Sequence, residues 1–189
     1  MGKIESGVVR EGDDLVICPT KEVLKVVAIE TDFSQGSIKA AFPGENVYLV
    51  VKGVEANNIN AGYILCEPSS PTPSVKVFRA SVFITNAREK NPIFCSGSTA
   101  VMHLHTLQID VTFKKIVAEL GNDKKPILGK NGKPVRPRFV KKGANCLIDF
   151  EVEQSISCEV YNDFKTLATF TLRDESLTLA IGKITKIIS

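Results

Sequence analysis

The sequence has no tryptophan, only two histidines among its 189 residues, and no long apolar run. A membrane-spanning helix needs roughly 18 or more consecutive apolar residues, so the sequence excludes one. The first nine residues, MGKIESGVV, lack the apolar segment that export signals carry. We therefore expect no membrane partner and a cytoplasmic location. With 43% apolar and 24% charged residues, the chain is predicted to fold around one large core or two small ones.

Motifs that carry catalysis or hold nucleotides are also missing. The sequence contains no GxxxxGKS or GxxxxGKT phosphate loop, no GxGxxG, no GxSxG and no HExxH. The nearest string to a phosphate loop, GKNGK at residues 129–133, has the wrong spacing. His103 and His105 are predicted to share one face of a strand, where we favour a structural role because no third metal ligand can be named. We predict no catalytic, cofactor-binding or metal-binding residue, and a binding module rather than an enzyme.

The cysteines do not form a recognisable metal or redox motif. The five are Cys18, Cys66, Cys95, Cys146 and Cys158, and no two have the CxxC spacing of a zinc ribbon or a thioredoxin-like site. Because the chain has no export signal, disulfides are not expected. We predict that the cysteines are reduced and mostly buried in strands.

The apolar composition favours strands. Valine and isoleucine number 37, against 25 for leucine and alanine, and β-branched side chains pack well on pleated sheets. Three prolines between residues 67 and 74 exclude a helix or central strand there and predict a linker. The predicted fold class is all-β, with two consecutive antiparallel closed β-barrels at residues 1–70 and 75–189 joined by a linker at 71–74. The predicted strands are Leu15–Cys18, Val23–Glu30, Ile38–Phe42, Asn46–Lys52, Tyr63–Cys66, Val75–Thr85, Ala100–Thr106, Gln108–Ala118, Asn145–Val152, Ser157–Val160, Thr169–Leu172 and Thr178–Ile188.

Positive charge is concentrated in one stretch. Residues 1–72 carry a formal charge of −4 and residues 73–189 carry +7, and residues 121–142 alone account for +7. We name residues 121–142 the basic stretch. Its cations either contact ribosomal RNA phosphates or form a solvated hairpin loop, and the sequence leaves both readings open. The candidate RNA contacts are Lys124, Lys125, Lys130, Lys133, Arg136, Arg138, Lys141 and Lys142.

Several strings resemble a known family, in order along the chain. GKIESGVVREGD at residues 2–13 and PGENV at 43–47 resemble the second domain of elongation-factor-type translation GTPases. AVMHLHT at 100–106, RPRFVKKG at 136–143 and FTLRDESLTLAIGK at 170–183 resemble the third domain. Within that superfamily the strings are most similar to the GTP-binding subunit of the eukaryotic peptide-chain release factor. The alternatives are the ribosome-rescue GTPase that partners Pelota and elongation factor one-alpha, which delivers aminoacyl-tRNA.

The resemblance implies two packed β-barrels that normally follow a GTPase domain. It identifies this chain as a fragment without that domain, so GTP and magnesium would be held elsewhere in the parent GTPase. The implied partners are a class-one release factor (alternatively Pelota) and the ribosome, and the fragment itself is expected to be monomeric.

The same resemblance assigns partner binding to one string. The residues concerned are Phe170, Thr171, Leu172, Arg173 and Asp174. The family usually has Gly-Arg directly before this string, where Ala168 and Thr169 stand here, so a cation suited to bidentate contacts is missing. Arg173 and Asp174 either anchor the partner or form an internal ion pair at a strand end. Phe170 and Leu172 alternate with Thr171 and are predicted to face the core.

Overall fold

A computed structural model describes residues 1–31, 36–87, 92–121, 123, 125–129, 131–175 and 177–189. They form two compact units, Met1–Pro73 and Ser74–Ser189, which we take in turn. Apart from one 3-10 helical turn at Ala56–Asn58, the helices and strands of the described residues are all β-strands. No helix in this part of the chain is long and apolar enough to cross a membrane.

The first unit is built on an open antiparallel sheet. Its strands are β1 (Gly2–Lys3), β2 (Val9–Arg10), β3 (Asp14–Cys18), β4 (Glu22–Glu30), β5 (Ala40–Ala41), β6 (Asn46–Lys52) and β7 (Ile64–Cys66). Five strands pair in the order β1-β6-β4-β3-β7, and β2 and β5 form a separate ribbon. The predicted closure of this unit by hydrogen bonding is therefore not found among the described residues. The outer strands β1 and β7 span two and three residues, which leaves few backbone groups to complete a ladder.

A bulge in β4 builds the core of the first unit. Leu24 and Val26 point inward with the usual period of two, but the next inward residue is Ile29. The register shifts between Val26 and Ala28, so one extra residue lets positions three apart face the same side. The buried residues are aliphatic: Ile4, Leu15, Ile17, Leu24, Val26, Ile29, Ala41 and Val47.

The second unit contains a closed barrel. Its strands are β8 (Ser74–Ile84), β9 (Ile93–Cys95), β10 (Thr99–Leu104), β11 (Leu107–Leu120), β12 (Phe139–Lys141), β13 (Asn145–Ser157), β14 (Thr169–Asp174) and β15 (Leu177–Ile187). Six antiparallel strands follow the order β10-β11-β13-β8-β15-β14, and β14 pairs back with β10 to close the ring. The remaining two, β9 and β12, form a two-stranded ribbon. Closure leaves no free edge in the six-stranded sheet.

Phenylalanine rings fill the barrel. Each is at most 1% exposed, and neighbouring ring centroids lie from 4.9 Å (Phe113 and Phe150) to 6.0 Å (Phe78 and Phe170) apart. Gly182 faces Phe170 across the β14–β15 pair, and a Cβ there would come within 2.7 Å of the Phe170 Cε2 atom. The ring and the glycine therefore fit each other, and a larger residue at this position would displace the ring. The five rings are Phe78, Phe94, Phe113, Phe150 and Phe170.

The predicted all-β fold class is confirmed, with two local corrections. Ser157–Val160 is not a separate strand, because β13 runs through to Ser157 and ends there. His105 is not in a strand beside His103, because β10 ends at Leu104 and His105 has a left-handed φ of 44° in the turn that follows. Three cysteines are buried as predicted, whereas Cys66 is half-buried and Cys95 is exposed, and all five are free thiols.

Candidate partner-binding surface

Strand β14 divides its predicted partner residues between the two sides of the barrel wall. Phe170 and Leu172 point inward and are at most 1% exposed, as their alternation predicts. Thr171, Arg173 and Asp174 are each partly exposed. Only these last three can reach a partner directly, and the two buried residues hold the strand in place beneath them. The partner-binding role of all five stays a prediction.

The outer side of β14 lies within a row of partly or fully exposed side chains. Thr171 pairs with His103 of β10 on one side and with Ile181 of β15 on the other, and Ile181 pairs in turn with Phe83 of β8. We call these four residues the β14 face. Ile181 is 47% exposed and Phe83 is 43% exposed. Adjacent exposed apolar side chains on a folded barrel are typical of a contact surface. The sequence analysis did not single out Ile181 and Phe83. Alternation along one strand does not show which residues of distant strands lie side by side, and only the register does.

The two residues that differ from the family string have separate surroundings. Ala168 is fully buried, and its backbone carbonyl accepts the Ile184 N–H at 2.9 Å. Thr169 is exposed, and its hydroxyl donates to the Lys165 carbonyl at 2.9 Å. Thr169 also pairs with Lys183 of β15. A cation is therefore present one strand away from the position where the family usually carries arginine.

Lys183 is held in place by an aromatic ring. Its Nζ atom lies 4.6 Å from the centroid of the Tyr161 ring, which is a cation–π contact. Such a contact restricts a side chain that would otherwise sample many rotamers. The ammonium group next to Thr169 is thus oriented before any partner arrives.

The basic stretch is organised by two similar turns. In the first, the Gly121 N–H donates to the Lys125 carbonyl at 2.9 Å, and the Lys125 N–H donates to the Asp123 carboxylate at 3.2 Å. The second turn repeats both bonds eight residues later, with Gly129, Lys133 and Asn131. This repeat was missed in the sequence because its identical letters are few. The exposed cations are Lys125, Lys133, Arg136, Arg138, Lys141 and Lys142, whereas Lys124 and Lys130 lie outside the described residues.

The glycine turn of residues 129–133 and the three buried thiols have surroundings unlike those of a phosphate loop and of a catalytic nucleophile. Phosphate loops lead from a strand into a helix, but the glycines of residues 129–133 lie in the second turn of the basic stretch, between isolated bridges. Burial raises the pKa of the Cys18 thiol to about 11 and that of the Cys146 and Cys158 thiols to about 12. These three therefore remain protonated at neutral pH and are poor nucleophiles. Within the described part of the chain, no three His, Cys, Asp or Glu side chains are grouped to hold a metal ion.

Comparison with known families defines the class of protein. Residues 1–66 match the model described as elongation factor Tu domain 2, and residues 77–185 match the one described as GTP-eEF1A C-terminal domain-like. The chain belongs to this GTP-eEF1A C-terminal-domain-like family of translation factors, in agreement with the resemblance of its strings.

Individual relatives narrow the class further. The chain is 40% identical over 187 residues to the eukaryotic peptide chain release factor GTP-binding subunit of Debaryomyces hansenii, and 38% identical to that of Candida albicans. These alignments cover 99% of this chain but only 25% of each relative. A crystal structure of sup35 complexed with GDP superposes over the whole chain, with a TM-score of 0.87 and 28% identity, and the match covers 43% of that chain. The resemblance to release-factor GTP-binding subunits is confirmed, and the chain spans about a quarter of their length.

Proposed function

We propose that this chain is the two-unit docking platform of a translation-termination GTPase. It binds a class-one release factor and supports that factor's GTP-dependent delivery to the ribosome at stop codons. The relatives named as release-factor subunits support this role, as do the strings of the third domain. Both interactions take place in the cytoplasm, where ribosomes terminate translation.

The β14 face carries the proposal. Ile181 and Phe83 provide adjacent apolar area at one end of the row, and polar or charged side chains continue the surface on the side of β14: Thr171 and His103 in the same row, and Arg173 farther along β14. Protein interfaces commonly combine apolar area with polar side chains. The barrel beneath is closed and packed with aromatic rings, so the surface does not need to rearrange when it binds.

Lys183 supplies the positive charge that the family string would place at position 169. It lies opposite Thr169 and is oriented by Tyr161. A lysine offers a point charge rather than a planar fork, so it can pair with a carboxylate of the partner but not in the bidentate manner of arginine. We infer that the partner places an acidic side chain near this edge of the β14 face.

We place GTP and magnesium in a GTPase domain of the longer family members rather than in these residues. The described residues offer no phosphate loop, and their three buried thiols are protonated at neutral pH. In this proposal the chain contributes binding and positioning, and the hydrolytic chemistry belongs to the whole GTPase.

Calorimetric titration of the chain with a purified class-one release factor tests the proposal, with Pelota titrated in parallel. We expect binding to the release factor and none to Pelota. Ile181→Gln should weaken release-factor binding roughly tenfold, because it replaces apolar contact area with a polar amide. A matched control is Val50→Gln, which changes an apolar residue of similar exposure (45%) on the first unit.

The results of the two titrations distinguish translation termination from ribosome rescue. Binding to Pelota alone would assign the chain to ribosome rescue instead. Failure to bind either protein would overturn the docking role of this chain. If Ile181→Gln binds as tightly as the parent chain, the docking surface lies elsewhere and the β14 face has no such role.

A further inference from the structure

We propose that the basic stretch, together with the ribbon strand β12 that overlaps its end, binds the phosphodiester backbone of RNA. This site is distinct from the β14 face, and it would be an activity of the chain in addition to factor docking. Three features support it: the backbone that holds the cations, the exposure of the cations, and an aromatic ring among them.

A small hydrogen-bonded triangle supports the stretch. The Ile127 N–H donates to the Glu119 carbonyl at 2.9 Å, and the Val135 N–H donates to the Ile127 carbonyl at 2.8 Å. The Glu119 N–H then donates to the Val135 carbonyl at 3.3 Å, which closes the triangle. Three chain segments eight residues apart are thereby tied to one another at the end of β11. Backbone hydrogen bonds therefore connect the described part of the stretch to the end of the barrel strand β11.

The cations on this support are available to a ligand. All six described ones are exposed, and none forms an ion pair with another described residue. Lys142 donates to the Asn86 side chain at 3.2 Å, which leaves its charge uncompensated. The described acidic groups nearby are Glu119 and Asp123, and Asp123 is engaged by the Lys125 N–H. A surface with this excess of positive charge attracts a polyanion.

One half-exposed aromatic ring lies within this surface. Phe139 is 46% exposed, and Lys141 Nζ lies 5.5 Å from its ring centroid. Both residues are in β12, whose middle residue, Val140, points into the core and anchors the strand. The ring borders an open groove of about 670 Å³ that Arg138 also lines. A flat ring beside cations is the arrangement on which an unpaired base can stack while its phosphates meet the charges.

The composition favours RNA over an acidic protein as the ligand. Lysine is depleted in protein–protein interfaces, and four of the six exposed cations are lysines. Phosphate contacts, in contrast, are made chiefly by lysine and arginine. A single ring provides one stacking position and no array for reading bases, so we expect binding that depends on charge and not on sequence.

Fluorescence anisotropy with a labelled single-stranded RNA tests the proposal, in salt from about 50 to about 200 mM. We expect affinity to fall steeply with salt, with a logarithmic slope near −0.7 per phosphate contacted. A variant that replaces four cations of the site with glutamine should reduce the magnitude of the slope of log affinity against log salt concentration by about three. The substitutions are Lys133→Gln, Arg136→Gln, Arg138→Gln and Lys141→Gln.

A control variant of equal charge identifies the site. It replaces four exposed lysines elsewhere on the second unit: Lys76→Gln, Lys115→Gln, Lys165→Gln and Lys186→Gln. This control should retain the parent slope if the basic stretch is the site. If both variants weaken RNA binding equally, binding reflects net charge alone and the proposal is overturned. Absence of salt-dependent RNA binding in the parent chain also overturns it, and neither result bears on release-factor docking.

A third variant concerns the ring. Phe139→Ala should weaken binding of single-stranded RNA about tenfold and leave binding of a blunt-ended RNA duplex unaffected, because only an unpaired base can stack on the ring. An equal loss for both RNAs would show that the ring only shapes the strand. Thermal melting of each variant ensures that a lost interaction is not simply a lost fold.

Discussion

The two units of this chain bury their apolar side chains in different ways. The second closes six strands into a ring, and its core holds five phenylalanines, whereas the first leaves its five-stranded sheet open over a small aliphatic core. Large rings bury more apolar area per residue than valine or leucine, and closure removes the free edges of the sheet. Both proposed surfaces therefore lie on the unit with the closed sheet and the aromatic core.

The largest expected effect comes from the aromatic core. Phe150 contacts three other rings, and Phe150→Ala should lower the free energy of unfolding of the second unit by about 4 kcal/mol. In the first unit, Ile29→Val removes one buried methylene-sized group and should cost about 1 kcal/mol. Hydrogen exchange read separately over each unit measures both. A cost of Phe150→Ala no larger than that of Ile29→Val would show that the Phe150 ring is not packed as closely as its three ring contacts indicate.

A glycine-to-alanine substitution in each unit compares how tightly the two units are packed at these positions. Gly182→Ala forces a methyl group against the Phe170 ring and should cost about 2 kcal/mol, since an overpacked core must shift. Gly2→Ala, in an edge strand of the first unit, meets no atom within 4 Å and should leave stability unchanged or slightly higher. Thermal melting of both variants provides the measurement. A harmless Gly182→Ala would mean that the ring has room the structure does not show.

Two ion pairs on neighbouring barrel strands should differ in how much they contribute to the free energy of unfolding. Arg79 meets Asp149 with two bonds, at 2.6 and 3.0 Å, and the Asp149 side chain is 11% exposed. Arg79→Ala leaves that carboxylate nearly buried without its partner and should cost about 2 kcal/mol. Lys114 and Glu151 are each 47% exposed, so Lys114→Ala should change stability by less than about 0.5 kcal/mol. Urea unfolding of each variant compares them, and similar midpoints would refute the ranking.

The buried thiols should have the smallest effect on the free energy of unfolding near neutral pH. Burial raises the pKa of Cys146 and Cys158 from 9.0 to about 12, so the folded state disfavours their thiolates. A raised pKa means that the unfolded state loses protons first. Stability should therefore fall as pH rises from about 9 to about 12, and not below that window. The double variant Cys146→Ala, Cys158→Ala should show a shallower decline in urea unfolding across pH, and an unchanged slope would count against this origin.

Local sequence patterns predicted most of the strands because burial on one face leaves a period of two. Strand β6 is an example, since its predicted bounds of Asn46–Lys52 match the structure. The short strands β1, β2, β9 and β12 were not predicted. Elements of two or three residues seldom show a period, and their pairing depends on distant partners. The equally short β5 and β7 were predicted only as parts of longer strands. The paired turns of the basic stretch escaped notice for a similar reason, because their likeness lies in hydrogen bonds and in only a few identical letters.

For the candidate site, alternation correctly placed Phe170 and Leu172 in the core, while the family string named the strand. Neither the alternation nor the family string showed that Ile181 and Phe83 lie beside Thr171. The three residues are on different strands, and only the register of β8, β14 and β15 brings them together. Lys183 was likewise overlooked as the cation next to Thr169. Neighbours across strands follow from pairing, which a single sequence does not display.

By itself, the sequence determined the all-β class, the family and the concentration of positive charge. Each of these follows from local composition, spacing or strings. Only the tertiary structure decided that the second unit closes into a barrel while the first stays open, and which side chains share the β14 face. Closure and register depend on hydrogen bonds between segments far apart in the chain, and those bonds form only when the buried faces of all the strands pack together.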